Sequence, residues 1–357
     1  MKRIHLIYAG GTIGMRATPA GLAPAADLFE RLHGDAGAPL ARLERELGCR
    51  FGFERIEPLI DSAEVDPGTW RALARAVRAR GGEADAFVLL HGTDTLAYSG
   101  AALSFRCAGL GRPLVLTGSM RPLGHAGSDA LHNVALAVRA ALQAPAPEVM
   151  IAFGRHVLRA NRATKVSAEA FDAFRSPNHP PLARVLDDGT LAWSTAGAGA
   201  AAVASTSFPD GIADETEKAD AADTAPWPSI AVLHLHPGID IARWRAVLEA
   251  DPPSALVLRS YGSGNAPVAS TPLVALLADL SALGTLVVNL SACGHGAVRA
   301  AAYAAGRPLD DAGVLPGGDL TLECAVAKLD WVCSRHAKPV DRRRAFAQVA
   351  HGEATPA

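Results

Sequence analysis

Phe, Trp and Tyr make up only 5% of the chain, which excludes a core built on large rings; alanine fills many helical stretches, so close packing of helices on sheets must supply stability. Net charge is equally scarce. A formal −2 and a pI near 6.6 give no long-range basic field, which argues against nucleic acid or an anionic membrane surface and leaves a small ligand as the expected partner. No apolar run approaches the roughly 20 residues of a membrane helix. Met1-Lys2-Arg3-Ile4 leads straight into a strand-like segment without a signal-type stretch, so a cytoplasmic location is expected. Cysteine is sparse and unpatterned: Cys49, Cys107, Cys293, Cys324 and Cys333 show no C-x-x-C spacing and no histidine at metal spacing. Reduced, mostly buried thiols are the expectation. His234 and His236 alternate on one predicted strand but lack a third ligand, and no metal or other cofactor is expected.

What the chain does have is a regular rhythm. With 357 residues and 49% apolar content, it has room for two domains. Short apolar runs at Ile4 to Ala9, Phe87 to Leu90, Leu114 to Thr117, Val149 to Phe153, Ile230 to Leu235, Ala255 to Leu258 and Thr285 to Leu290 predict buried strands. Longer helical patterns separate them, which indicates α/β architecture with largely parallel sheets. One helix is well punctuated: Asp66 caps it, Pro67 suits its first position, Trp70, Leu73 and Val77 share a face, and Gly81-Gly82 end it. A second runs from about Thr95 toward Gly109 or Gly111. Between Thr190 and Trp227 the composition shifts to small and polar residues. The expected organisation is a larger N-terminal domain (1–189), an exposed linker (190–228), a smaller C-terminal α/β domain (229–338) and a loosely held charged tail (339–357).

Polar, glycine-bearing clusters follow the predicted strands at once: Gly10-Gly11-Thr12-Ile13-Gly14, His91-Gly92-Thr93-Asp94-Thr95, Gly118-Ser119-Met120-Arg121-Pro122 and Gly154-Arg155-His156. Ligands of parallel α/β sheets bind outside the carboxyl ends of the strands. Glycines there admit close backbone approach, and a following helix turns its positive end toward an anion or developing oxyanion. Nucleotide binding is disfavoured. The first cluster lacks G-x-G-x-x-G spacing, no G-x-x-x-x-G-K-[ST] occurs, and Gly262-Ser263-Gly264-Asn265-Ala266-Pro267 puts proline where the third glycine belongs. Nor is there a G-x-S-x-G elbow. Two threonines on tight glycine turns remain, with Asp94 beside one of them. A threonine hydroxyl needs a base to become a nucleophile, and Lys165 is a candidate for that work, oriented by an acidic neighbour. The plainer alternatives stay open: Thr12 and Thr93 bond only their own turns, Asp94 caps a helix, and Lys165 is solvated.

At these same residues the chain resembles the L-asparaginase family, most closely its type I, cytoplasmic branch. Gly10-Gly11-Thr12-Ile13-Gly14 resembles the first family signature and Leu89-Leu90-His91-Gly92-Thr93-Asp94-Thr95 the second. The likeness continues through Asp61-Ser62, Leu116-Thr117-Gly118-Ser119, Asn161-Arg162-Ala163-Thr164-Lys165 and Leu258-Arg259-Ser260-Tyr261. It implies cleavage of the L-asparagine side-chain amide to aspartate and ammonia, without a cofactor. Thr12 is then the nucleophile, and Thr93, Asp94 and Lys165 the proton-handling group. Substrate contacts fall to Asp61, Ser62, Thr93, Asp94 and Ser119. Ser62 suits the substrate carboxylate and Asp94 its ammonium, since both charges must be paired on desolvation. The resemblance further implies a homodimer or homotetramer and, in the type I branch, an intersubunit effector site at Thr164, Arg259, Asn265 and Cys293.

One departure stands out. The family carries a tyrosine after the first signature, and here Leu22 occupies the expected place; the four tyrosines are at positions 8, 98, 261 and 303. This motivates a second reading, a non-catalytic sensor of asparagine or aspartate. A third, amide hydrolysis on a larger tRNA-linked substrate, is opposed by the lack of a basic patch or an added tRNA-binding domain. Preference between asparagine and glutamine rests on one methylene, which pocket shape rather than sequence motif decides.

Overall fold

The computed structural model describes residues 1–19, 21–35, 37–194, 226–299 and 307–356. Two compact units divide the chain, Met1–Pro209 and Asp210–Ala357. Among the described residues no helix is long and apolar enough to cross a membrane.

In the first unit the strands are β1 (Lys2–Gly10), β2 (Arg16–Thr18), β3 (Gly21–Ala23), β4 (Cys49–Ile60), β5 (Ala86–Leu90), β6 (Leu114–Thr117), β7 (Val149–Phe153), β8 (His156–Arg159), β9 (Thr164–Lys165), β10 (Phe174–Arg175), β11 (Ala183–Val185) and β12 (Leu191–Trp193). The helices are α1 (Leu28–His33), α2 (Pro39–Leu47), α3 (Pro67–Ala79), α4 (Leu96–Arg106) and α5 (Ala130–Gln143). Eight strands form the main sheet in the order β12-β11-β8-β7-β6-β5-β1-β4. From β4 to β7 all pairings are parallel, and from β7 to β12 they are antiparallel.

Alternation along the strands makes the two cores. Ile4, Leu6 and Tyr8 of β1 with Ala86, Val88 and Leu90 of β5 face one side, where α5 supplies Val134, Ala137 and Val138. Ile7 with Phe87 and Leu89 face the other, against Leu73 and Val77 of α3 and Leu96 and Leu103 of α4. Because both faces are covered, the central strands read as continuous apolar runs. The expected start of α3 is present: the Asp66 carboxylate accepts from Thr69 N–H at 2.7 Å, Thr69 Oγ1 accepts from Asp66 N–H at 3.4 Å, and Pro67 opens the helix. Helix α4 ends at Arg106, earlier than its sequence pattern suggests.

The second unit holds a four-stranded, wholly parallel sheet, β13 (Ile230–His234), β14 (Ala255–Ser260), β15 (Leu286–Ser291) and β16 (Leu315–Pro316) in that order. Leu256, Leu258 and Val287 pack against the helix Leu273–Ala282 on one face, and Val257, Val288 and Leu290 against the helix Leu322–Arg335 on the other. The chain is therefore α/β with a larger N-terminal sheet unit and a smaller parallel C-terminal one.

Two boundaries differ from expectation. The first sheet runs past residue 189, because Leu191–Trp193 pairs with Ala183–Val185; most of the expected linker, 195–225, lies outside the described residues. The tail is not loose. Pro339–Ala347 is helical, and Glu353 is fully buried. Its carboxylate meets Lys328 Nζ at 2.7 Å, and the Thr355 N–H and hydroxyl both donate to Asp319. The charges that suggest a solvated tail in the sequence are partly consumed in this clasp.

Burial raises the Glu353 pKa, but the Lys328 charge and the hydrogen bonds from Lys328 and His351 N–H outweigh it and hold the carboxyl below its ordinary value. The stabilisation is therefore fully present above the ordinary carboxylate pKa and is lost as pH falls through the depressed one. Glu353→Ala should cost about 3–5 kcal/mol in urea unfolding at neutral pH by leaving the buried Lys328 charge without its counter-ion, with only Gln348 O as acceptor among the described residues. The difference between variant and wild type should shrink toward acid; a constant difference would contradict the clasp.

Candidate active site

The site is built at the carboxyl ends of β4, β1, β5 and β6, where four backbones close on one another. A Cβ on Gly10 would meet Ile60 O at 2.1 Å, and one on Gly118 would meet His91 O at 2.3 Å. A Cβ on Gly11 would meet both N and Cα of Gly92 at 2.3 Å, and one on Gly92 would meet Ser62 Cβ and Oγ at 2.5 Å. Gly11 also has φ of 85°, which a side chain would resist. Parallel pairing of Tyr8 with Leu90 sets the two turns level. Thr12 and Thr93, each next to one of these touching glycines, are thus brought to the same edge of the sheet.

Thr12 opens a one-turn 3₁₀ helix (Thr12–Gly14) and is half-buried. Thr93 is buried, and its Oγ1 accepts from Lys165 Nζ at 2.8 Å. The same ammonium donates to Asp94 Oδ1 at 2.7 Å. Asp94 is otherwise open, with 65% of its side chain exposed, against 18% for Lys165. Since Thr93 Oγ1 accepts from Lys165, its own hydroxyl hydrogen is free to donate elsewhere.

Lys165 is delivered by a buried scaffold. Arg159, at the end of β8, forks onto Glu148 with bonds of 2.7 and 2.9 Å. The Ala160–Arg162 turn then packs on α4, where Gly100 leaves just enough room for Ala160. Strand β9 follows, pairing Lys165 with Phe174.

Ser62 is buried at the start of a turn that Asp61 caps through Ala63 N–H, and its carbonyl accepts from Thr95 Oγ1 at 2.7 Å. Asp61 itself is exposed. Ser119 is buried and donates to Arg121 O at 2.6 Å. Of the effector candidates, Thr164 belongs to the first unit, next to Lys165. Arg259, Asn265 and Cys293 belong to the second, at or just past the ends of β14 and β15; Arg259 donates to Ala292 O, and Cys293 is exposed. The other four cysteines are buried, and none of the five is in a disulfide. Leu22 sits on the β2–β3 hairpin with 49% exposure and brings no polar atom to the site.

Several bracing residues escape sequence reasoning. The Asp129 carboxylate accepts from Met120 N–H, Arg121 N–H and Asn133 Nδ2, and Asn133 also bonds Gly118 O and Gly154 N–H. Together they lock the turns after β6 and β7. His91 bridges Gly92 O at 2.8 Å and Ser99 Oγ at 3.0 Å. Burial lowers its pKa, so it stays a neutral strut. The one readable signal is an Asp and an Asn four residues apart at the start of an otherwise apolar helix.

The family model described as asparaginase, N-terminal, matches residues 3–197, and that of the glutaminase/asparaginase C-terminal domain matches 229–346. L-asparaginase 1 of Escherichia coli is 36% identical over 355 residues, covering 99% of this chain and 98% of that one. The 60 kDa lysophospholipase of Mus musculus is 32% identical over 375 residues, covering 99% of this chain and 63% of that protein. The crystal structure of L-asparaginase I from Vibrio cholerae superimposes with a TM-score of 0.82 at 34% identity, covering 99% of each chain.

Gly92 has no room for a methyl group, whereas a Cβ on Gly82 meets nothing within 4 Å. Gly92→Ala should therefore destabilise by about 1–3 kcal/mol through overpacking, and Gly82→Ala should be neutral or stabilise by up to about 1 kcal/mol. Thermal unfolding of the pair measures this; equal shifts would show that the two turns do not press on each other.

Proposed function

The chain belongs to the asparaginase family, and from that premise we propose that it is an L-asparaginase, hydrolysing the side-chain amide of L-asparagine to L-aspartate and ammonia through an acyl-threonine. The observation that carries the reading is the contact of Gly11 with Gly92, which brings together the turns that bear Thr12 and Thr93, while Lys165 binds Thr93 and Asp94.

Thr12 Oγ attacks the amide carbon, and its proton passes toward the departing ammonia through Thr93, whose hydroxyl is oriented by Lys165. Backbone N–H groups at the glycine turns face the developing oxyanion. Water then cleaves the ester, releasing aspartate and restoring the Thr12 hydroxyl. The open Asp94 carboxylate pairs the substrate ammonium, Ser62 and the nearby backbone take its carboxylate, and Asp61 and Ser119 line the same turns. Cytoplasmic location, homodimeric or homotetrameric assembly, and effector binding at Thr164, Arg259, Asn265 and Cys293 belong to the same proposal and rest on the family relationship.

Leu22 supports a second reading. With leucine in place of a hydrogen-bonding side chain at position 22, Thr12 loses that assistance, and the protein would bind asparagine or aspartate and turn over slowly or act as a sensor.

Ammonia release from asparagine and glutamine separates these. Wild type should release it, Thr12→Ala should lose nearly all activity, and Thr93→Ala and Lys165→Met should each lose about 10²- to 10⁴-fold in kcat. Mass spectrometry of quenched reactions should find the acyl adduct on Thr12. No ammonia from wild type, together with thermal stabilisation by asparagine, would establish the sensor instead. Equal activity in all proteins would reject the mechanism.

A further inference from the structure

Directly beneath the Thr12–Gly14 turn lies a polar group that the mechanism above does not use. Tyr8 is fully buried on β1, its backbone held between Arg55 of β4 and Leu90 of β5. Its ring meets Phe29 edge-on at 6.1 Å, among the apolar side chains that also include Ile13 and Leu28. The hydroxyl reaches the turn itself: a Cβ on Gly14 would stand 1.9 Å from it. Among the described residues no group hydrogen-bonds to that hydroxyl. The adjacent Gly14 carbonyl is occupied by Arg31 Nη2 at 2.8 Å.

A buried hydroxyl without a partner is costly, and replacing it with a hydrogen removes that cost while giving up the packing of a single oxygen atom. Phenylalanine would keep the ring where it is. The turn above has the means to supply a partner by moving. It hangs between glycines at 10, 11 and 14 and has no side-chain cap; Gly14 N–H to Gly11 O at 3.2 Å and Met15 N–H to Thr12 O at 3.1 Å close it, and Leu123 N–H to Ile13 O at 3.0 Å tethers its middle from outside, leaving the Gly11 and Thr12 carbonyls with one bond each. Each of those carbonyls keeps a second lone pair.

We propose that Tyr8 is a positioning residue for Thr12: when the turn closes on substrate, the Tyr8 hydroxyl donates to a turn carbonyl and fixes the direction of the Thr12 side chain. The resting state carries the unpaired hydroxyl, and the bond forms only as the reactive arrangement is reached, so its benefit falls on turnover rather than on stability. Burial pushes the Tyr8 phenol up to about 12, so it remains protonated and acts as a donor, not as a base. This inference rests on Thr12 being the nucleophile.

The test is Tyr8→Phe, compared with wild type and Thr12→Ala in ammonia release and thermal unfolding. The expected result is a kcat about 10- to 100-fold lower with KM unchanged, and a midpoint equal to wild type or about 2–4 °C higher. A purely structural tyrosine would instead lower the midpoint or leave kcat untouched, and either outcome overturns the proposal. An active wild type with an inactive Thr12→Ala and an unaffected Tyr8→Phe rejects the Tyr8 role alone. A wild type that releases no ammonia rejects the amidohydrolase reading and the Tyr8 role together.

Discussion

Everything at the site depends on two backbones touching where side chains would ordinarily keep them apart. Neighbouring parallel strands hold their axes about 4.8 Å apart, and turns leaving them normally diverge. Gly11 and Gly92 let the turns after β1 and β5 converge instead, and Gly92 makes the same close approach to Ser62. Three polar residues, Thr12, Ser62 and Thr93, are thereby gathered at one edge of the sheet from chain positions up to 81 residues apart. The arrangement has a thermodynamic cost, since glycine loses more conformational entropy on folding than any other residue. The cost is offset by the strands beneath: β1 and β5 are buried on both faces, and their pairing leaves the turns little freedom to separate.

The same logic extends outward in layers. The turns that carry Thr93 and Ser119 are not stiff by themselves, so buried polar struts stiffen them. His91 ties its own turn to α4 through Ser99, and Asp129 with Asn133 ties the turns after β6 and β7 to α5. Asp129 and Asn133 stand at the start of α5 without capping it: their hydrogen bonds go to the turns and to each other, so the helix serves as the anchor from which the turns are held. Lys165 reaches the cluster by another route, carried past α4 on a turn seated against Gly100 and anchored by the buried Arg159–Glu148 pair.

How much of this is legible in the sequence follows from the range of each interaction. Strands such as Phe87 to Leu90 and the capped helix after Asp66 are visible because their signals lie within a few residues: an apolar run, a cap, a proline, a periodic face. The glycine turns are visible for the same reason. The antiparallel extension β8-β11-β12 carries no such mark, as three- and four-residue strands with mixed burial leave no period to read. The clasp of the final residues is hidden too, because Lys328 and Glu353 look like ordinary surface charges until the fold buries them. Lys165 and Asp94 stand 71 residues apart, and only the resemblance to a known family joins them in sequence. Tyr8 is the hardest case. As sequence it is one more large residue in a buried strand, and its hydroxyl acquires meaning only when Gly14 is found above it.

The distribution of exposure within the charged group bears on what the site can bind. A lysine and a carboxylate that served only each other would gain by being equally buried or equally solvated. Here the pair is unequal: the Lys165 side chain is largely enclosed while most of the Asp94 side chain faces outward. Lys165 spends one hydrogen bond on Asp94 and another on Thr93, whereas Asp94 Oδ2 has no bond to Lys165 and keeps its acceptor capacity for an incoming group. A cation docking there would meet a carboxylate already oriented by an ammonium, with little side-chain entropy left to lose. In the proposed function Asp94 would therefore link two tasks, on one side the lysine that orients Thr93 and on the other the recognition of a small amino acid's ammonium. Under the proposed function, an amide-bearing ligand held by its ammonium at Asp94 would be presented to the turns at this edge, and binding and reaction would share it.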